Sequence, residues 1–173
     1  SLWFRSSDTV NPRHLVWQGP ATENGWGVND TPATLEMHLS FSFVGGAPAN
    51  CLGYYYGYVD TVGSTQTYIT QANGAFTDTT NWNHLAVSVQ NAGSAPFASL
   101  YLNGNLIGSA SGTQTNRAAW NTNLRLARPG VAQRFYQGDM DEVSVQNTAR
   151  DASWIGAQYA SQTDSFLTFG AQE

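Results

Sequence analysis

Apolar residues alternate with polar ones along most of this chain, in short runs broken by turn residues. Leu2 and Phe4 share one face of a first segment, and Leu15 with Trp17 and Trp26 with Val28 repeat the pattern. Leu35, Met37, Leu39, Phe41 and Phe43 hold period two without interruption, which predicts a long strand with one apolar face, ended by Gly45-Gly46-Ala47-Pro48. Leu52, Tyr54, Tyr56 and Tyr58 form a second such row, Thr67–Thr70 a short strand, and Leu85, Val87 and Val89 an inward-facing one. Residues 97–108 contain the clearest local signal. Asn103-Gly104 supplies the positive φ values of a two-residue type I′ turn, so Leu100 and Leu102 are expected to pair through a hairpin with Leu106.

Later segments follow the same rule. Leu124 and Leu126 read as a strand, as do Met140, Val143 and Val145, with a register change or bulge among the last three. Residues 109–123 read as a long polar loop. One helix is predicted over residues 151–161, capped by Asp151, with Ile155 and Tyr159 one turn apart for docking on a sheet and Trp154 beside them. Phe166–Phe169 closes the chain as a last strand. No internal repeat or linker interrupts 173 residues, so residues 1–173 read as one domain, large enough for a two-layer core.

Composition narrows the function classes. Charged residues are only 11% of the chain, none is lysine, and the net charge is −5. Solubility therefore rests on Ser, Thr, Asn and Gln, about a third of the residues, as suits an extracellular or cell-surface β domain. No basic stripe exists to displace counterions from a phosphate backbone, which argues against nucleic-acid partners. No apolar run is long enough for a membrane helix, which argues against membrane insertion. Cys51 is alone and cannot form an internal disulfide. The chain opens at once on a strand, as a piece of a longer chain would.

Four stretches carry a resemblance: Ser1–Arg5, Trp82-Asn83-His84-Leu85-Ala86-Val87, Leu100-Tyr101-Leu102-Asn103-Gly104, and Gly138–Val145, followed by Ala149-Arg150-Asp151-Ala152-Ser153-Trp154-Ile155. In this order they resemble the laminin-G-like domains of the concanavalin A-like lectin/glucanase superfamily, of the type found in bacterial surface proteins. The resemblance implies an all-β fold, a two-sheet antiparallel jelly-roll sandwich with one short C-terminal helix. It also implies strands ahead of the Trp-bearing segment that are missing here. A neighbouring strand would then lack its partner, and another protein segment or subunit could fill that front edge by strand addition.

Within that frame the leading expectation is a non-catalytic, lectin-like carbohydrate-binding module. The alternative is a structural or adhesive subunit of an extracellular assembly. Arg117, Trp120, Asn121 and Arg134 are candidate ligand contacts, because an aromatic ring among planar polar groups in a polar loop suits a sugar. Tyr54, Tyr56 and Tyr58 offer stacking surfaces, although one β face of tyrosines packs equally well against its own core. Asp139, Asp141 and Glu142 are the only carboxylate cluster. Alternation puts no pair of glutamates on one face, so glycoside hydrolysis is not expected and the chain reads as no enzyme. The resemblance implies a structural Ca²⁺ with Asp141 among its oxygen ligands. His14, His38 and His84 lack zinc-ligand spacing, and His84 is expected to be a hydrogen-bonded structural residue.

Overall fold

The structure, a computed structural model, describes residues 1–7, 13–18, 34–39, 52–57, 68–72, 74–90, 97–111, 124–127 and 135–165. The first sheet is built from β1 (Leu2–Arg5), β6 (Asn83–Gln90), β7 (Phe97–Leu102), β8 (Asn105–Ser111) and β10 (Asp139–Asp141), in the order β10-β1-β6-β7-β8. The second contains β2 (Arg13–Gln18), β3 (Thr34–Leu39), β4 (Leu52–Gly57), β5 (Tyr68–Ala72) and β9 (Arg125–Leu126), in the order β5-β4-β3-β2-β9. All named strand pairs are antiparallel. The expected positions 26, 28, 41, 43 and 166–169 lie outside the described residues.

Period-two alternation becomes a core between the layers. Leu2, Phe4, Leu85, Ala98 and Leu100 of the first sheet meet Leu15, Val16, Leu52 and Ala72 of the second, with Phe76 and Tyr136 filling between them. Phe4 and Phe76 pack with tilted rings, centroids 5.2 Å apart, a geometry that the aromatic quadrupole favours. A register shift between His14 and Val16 places consecutive Leu15 and Val16 both in the core, which strict alternation cannot do. β1 is flanked on both sides, so it is not the strand without a neighbour; in the described sheet the edges are β10 and β8.

The hairpin forms where expected, with Asn103 at φ 50° and Gly104 at φ 77°. Its register differs from the expectation. A shift between Leu100 and Tyr101 pairs Leu106 with Tyr101 and leaves Leu106 56% exposed, while Leu102 pairs with Asn105 and Leu100 with Gly108. The turn also clamps its neighbour, because the Asn103 side chain accepts from the His84 amide at 2.8 Å and the Asn103 amide donates to the His84 carbonyl at 2.8 Å. The predicted strand through Val145 is shorter than expected. β10 stops at Asp141 because Glu142 takes φ 48°, leaving Val143 half-buried and Val145 76% exposed.

Helix α1 (Ala152–Gln162) starts as its sequence predicts, with Asp151 accepting from the Trp154 amide at 2.8 Å. Ile155 is its fully buried anchor against Ala86 and Tyr101, on the outer face of the first sheet. One turn on, Tyr159 stacks on Trp3 and covers Gly104, where any Cβ would sit 3.1 Å from the tyrosine ring. His84 is buried beneath, its ring 5.2 Å from Trp3 and 6.2 Å from Tyr159. It is structural, but not through its ring hydrogen bonds: neither nitrogen has a partner among the described residues. Burial pushes its pKa down from 6.5 to about 4.

Two outcomes follow. Phe76→Ala should lower unfolding free energy by about 3–5 kcal/mol in urea titrations, because both transfer energy and a cavity are involved. His84 binds its proton more weakly folded than unfolded, so its contribution to stability is intact above about pH 6.5 and declines as pH falls towards 4. Melts between pH 7 and pH 4 should show a loss of about 3 kcal/mol that His84→Leu removes.

Candidate functional site

One end of the first sheet gathers three side chains from separate parts of the chain. Antiparallel pairing sets Arg5, the last residue of β1, opposite Asp139, the first of β10. The Arg5 guanidinium donates to Asp139 Oδ2 from Nε at 3.0 Å and from Nη2 at 2.6 Å. Its Cζ also lies 5.4 Å from the ring centroid of Trp82, which precedes β6 and is 39% exposed.

The supports beneath this group are well fixed. The Tyr136 hydroxyl lies 2.7 Å from the Arg5 carbonyl and 2.9 Å from the Asp139 carbonyl, donating to this pair of acceptors. Burial pushes its ionisation well above the usual tyrosine range. Gly138 has φ 147°, and a Cβ there would run into the Arg5 carbonyl and the Tyr136 hydroxyl. On the Trp82 side, Asp78 folds the preceding turn by accepting from the amides of Thr80 at 3.0 Å and Asn81 at 2.9 Å. The Asn81 amide leads the bonds that hold its carboxyl at about 2. Asn83 Nδ2 donates to the carbonyls of Asp78 and Asn81, so Trp82 stands between two anchored residues.

The carboxylates near this end are occupied separately. Asp139 pairs with Arg5, Asp141 Oδ1 accepts from the Glu142 amide at 2.7 Å, and Glu142 Oε2 accepts from Gln162 of α1 at 2.6 Å. Asp139 and Asp141 do share the outer face of β10, since their partners Arg5 and Trp3 flank core-facing Phe4. Among the described residues no three His, Cys, Asp or Glu side chains gather into a metal-holding group. Asp141 with one oxygen already engaged does not by itself make the oxygen shell that calcium requires.

The other sequence candidates are placed as follows. Arg117, Trp120, Asn121, Arg134 and Tyr58 lie outside the described residues. Tyr54 and Tyr56 occupy β4 positions on the face that Leu52, fully buried, turns to the core; Tyr55 falls on the opposite face. Arg5, Trp82 and Asp139 were not foreseen as a group, because nothing in a sequence says that residues 5, 82 and 139 end strands at one rim.

With this geometry in view, comparison with known families is decisive for the fold. A laminin-G-type family model, described as the concanavalin A-like lectin/glucanases superfamily, matches residues 1–156. The chain belongs to that superfamily. No curated protein and no solved structure matches it. The concanavalin A-like sandwich accounts for the antiparallel layers, and the match runs into α1. Its members include both carbohydrate binders and enzymes, so membership leaves the chemistry to be read from the site. No helix among the described residues is long and apolar enough to cross a membrane.

Tyr136→Phe should cost about 1–3 kcal/mol in denaturant titration, because it leaves carbonyls at the rim without their donor. Asp139→Ala breaks only an exposed ion pair and should cost no more than about 1 kcal/mol in the same assay.

Proposed function

We propose that this concanavalin A-like domain binds carbohydrate without transforming it, as a module of a secreted or cell-surface protein. The carrying observation is the rim at which exposed Trp82 stands beside the ion-paired Arg5 and Asp139. An indole presents an apolar surface to the C–H side of a sugar ring. A guanidinium fork donates to hydroxyls, and a carboxylate accepts from them. Anchoring of all three by Tyr136, Asp78 and Asn83 reduces the ordering cost of binding. Separate engagement of Asp139, Asp141 and Glu142 favours recognition over hydrolysis, which needs two carboxyl groups facing one bond. The net charge of −5 and the absence of lysine favour neutral glycans over sulfated or phosphorylated ones.

A glycan panel with native affinity gels tests the reading. Retention by at least one neutral glycan is expected, and Trp82→Ala should weaken it about tenfold or more. Full retention of a folded Trp82→Ala protein would remove the rim from the reading.

A further inference from the structure

Helix α1 depends on the sheet beneath it. Its eleven residues include no charged one, and only Ile155 is fully buried. An isolated helix of that length is marginal in water, so docking is what keeps it formed. Its first half is held by Ile155 against Ala86 and Tyr101, and just ahead of it Ser88 Oγ donates to the Arg150 carbonyl at 2.6 Å. Its second half has a separate attachment. Tyr159 stacks on Trp3 and sits over Gly104. Gln162 Oε1 accepts from Trp3 Nε1 at 3.0 Å, and Gln162 Nε2 donates to Glu142 Oε2 at 2.6 Å.

The second attachment covers His84. Register sets this residue opposite Trp3, and its ring is fully buried with neither nitrogen partnered among the described residues. An imidazolium there would carry two N–H donors in need of acceptors. Asn103 alongside is already engaged, its Oδ1 by the His84 amide and its Nδ2 by Asn83. No carboxylate compensates either. The titratable group that α1 brings is the Tyr159 phenol, and the Ser1 ammonium on the β1 side opposes a second positive charge. Arg5 is paired with Asp139. Asp141 lies across Trp3 on β10 and is engaged by the Glu142 amide, and Glu142 is engaged by Gln162. A neutral ring fits this place; a charged one is buried without compensation.

We infer that the second half of α1 is an acid-opened lid, which protonation of His84 lifts from Trp3 while the two-sheet core stays folded. Trp3 and Arg5 are same-face neighbours on β1, so opening uncovers a second indole next to the rim. The inference stands apart from the carbohydrate-binding reading. A group held at about 4 when closed and near 6.5 when open raises the opening constant about a hundredfold between pH 7 and pH 4.

Hydrogen exchange on the whole chain, followed by NMR and corrected for the intrinsic effect of pH on exchange, tests the lid. The Trp3 indole N–H and the amides from Tyr159 to Thr163 should lose about a hundredfold in protection between pH 7 and pH 4. The Leu85 and Leu100 amides should remain far better protected at both values. His84→Leu keeps the Ser1 ammonium but removes the imidazole, so its lid should be equally protected at pH 7 and pH 4. Tyr159→Ala decides the matter should His84→Leu not fold: its lid should be no better protected at pH 7 than the wild-type lid at pH 4, above an intact core. Wild-type lid protection that ignores pH, or that equals core protection at pH 4, overturns the inference. So does an undiminished fall in folded His84→Leu, or a Tyr159→Ala lid protected at pH 7 as in wild type.

Discussion

Placement of β1 between β6 and β10 is the constraint on which the rest of the molecule depends. Its four residues are tied by ladder bonds to residues 83–85 on one side and 139–141 on the other. The separation along the chain is large, but loop-closure entropy grows only logarithmically with length, and burial of Leu2 and Phe4 in the core offsets it. The same alternation serves the opposite side of the strand. Trp3 is set beside His84 and beneath Tyr159, and Arg5 is set beside Asp139. One short strand thus locates the hydrophobic centre, the seat of the helix and the chemistry of the rim.

The two sheets contribute differently to the molecule. The first is covered in its middle by α1: Ile155 and Trp154 pack with Ala86 and Tyr101, while Trp3 and Tyr159 lie beside a buried histidine whose ring nitrogens have no partner among the described residues. Its exposed ion pair, Arg5 with Asp139, stands at the end of the sheet. The second sends Leu15, Val16, Leu52 and Ala72 inward to the shared core. In a superfamily whose members differ in what they bind more than in how they fold, such local differences decide function.

Much of the architecture was legible from the order of residues. Period two in Leu2–Phe4 and Leu85–Val89, the Asn103-Gly104 turn and the Asp151 cap each depend on neighbours only a few positions away, and all appear in the structure. What escaped were features that depend on pairing partners. The shift beside Tyr101 relocated Leu106, the positive φ of Glu142 cut β10 short, and the bulge at Leu15 turned two consecutive residues inward. The site shows the same division. Aromatic candidates were recognised by type, but the contrast between Tyr54 and Tyr55 emerges only once Leu52 fixes which side of β4 is inside, and no local pattern links Arg5 with Trp82 and Asp139.

The left-handed turn at Glu142 has a consequence for the molecule in solution. By ending β10 after three residues it leaves at that border of the described sheet only a short stretch of edge backbone, where the Asp139 carbonyl already accepts from Tyr136 and the carboxylates of Asp139, Asp141 and Glu142 stand alongside. A foreign strand approaching there meets too short a template and a like-charged fence if it is itself acidic, as a second copy of this chain is. Truncation by one strained residue thus discourages stacking of copies into fibres, while the flanking rim stays open to an uncharged visitor.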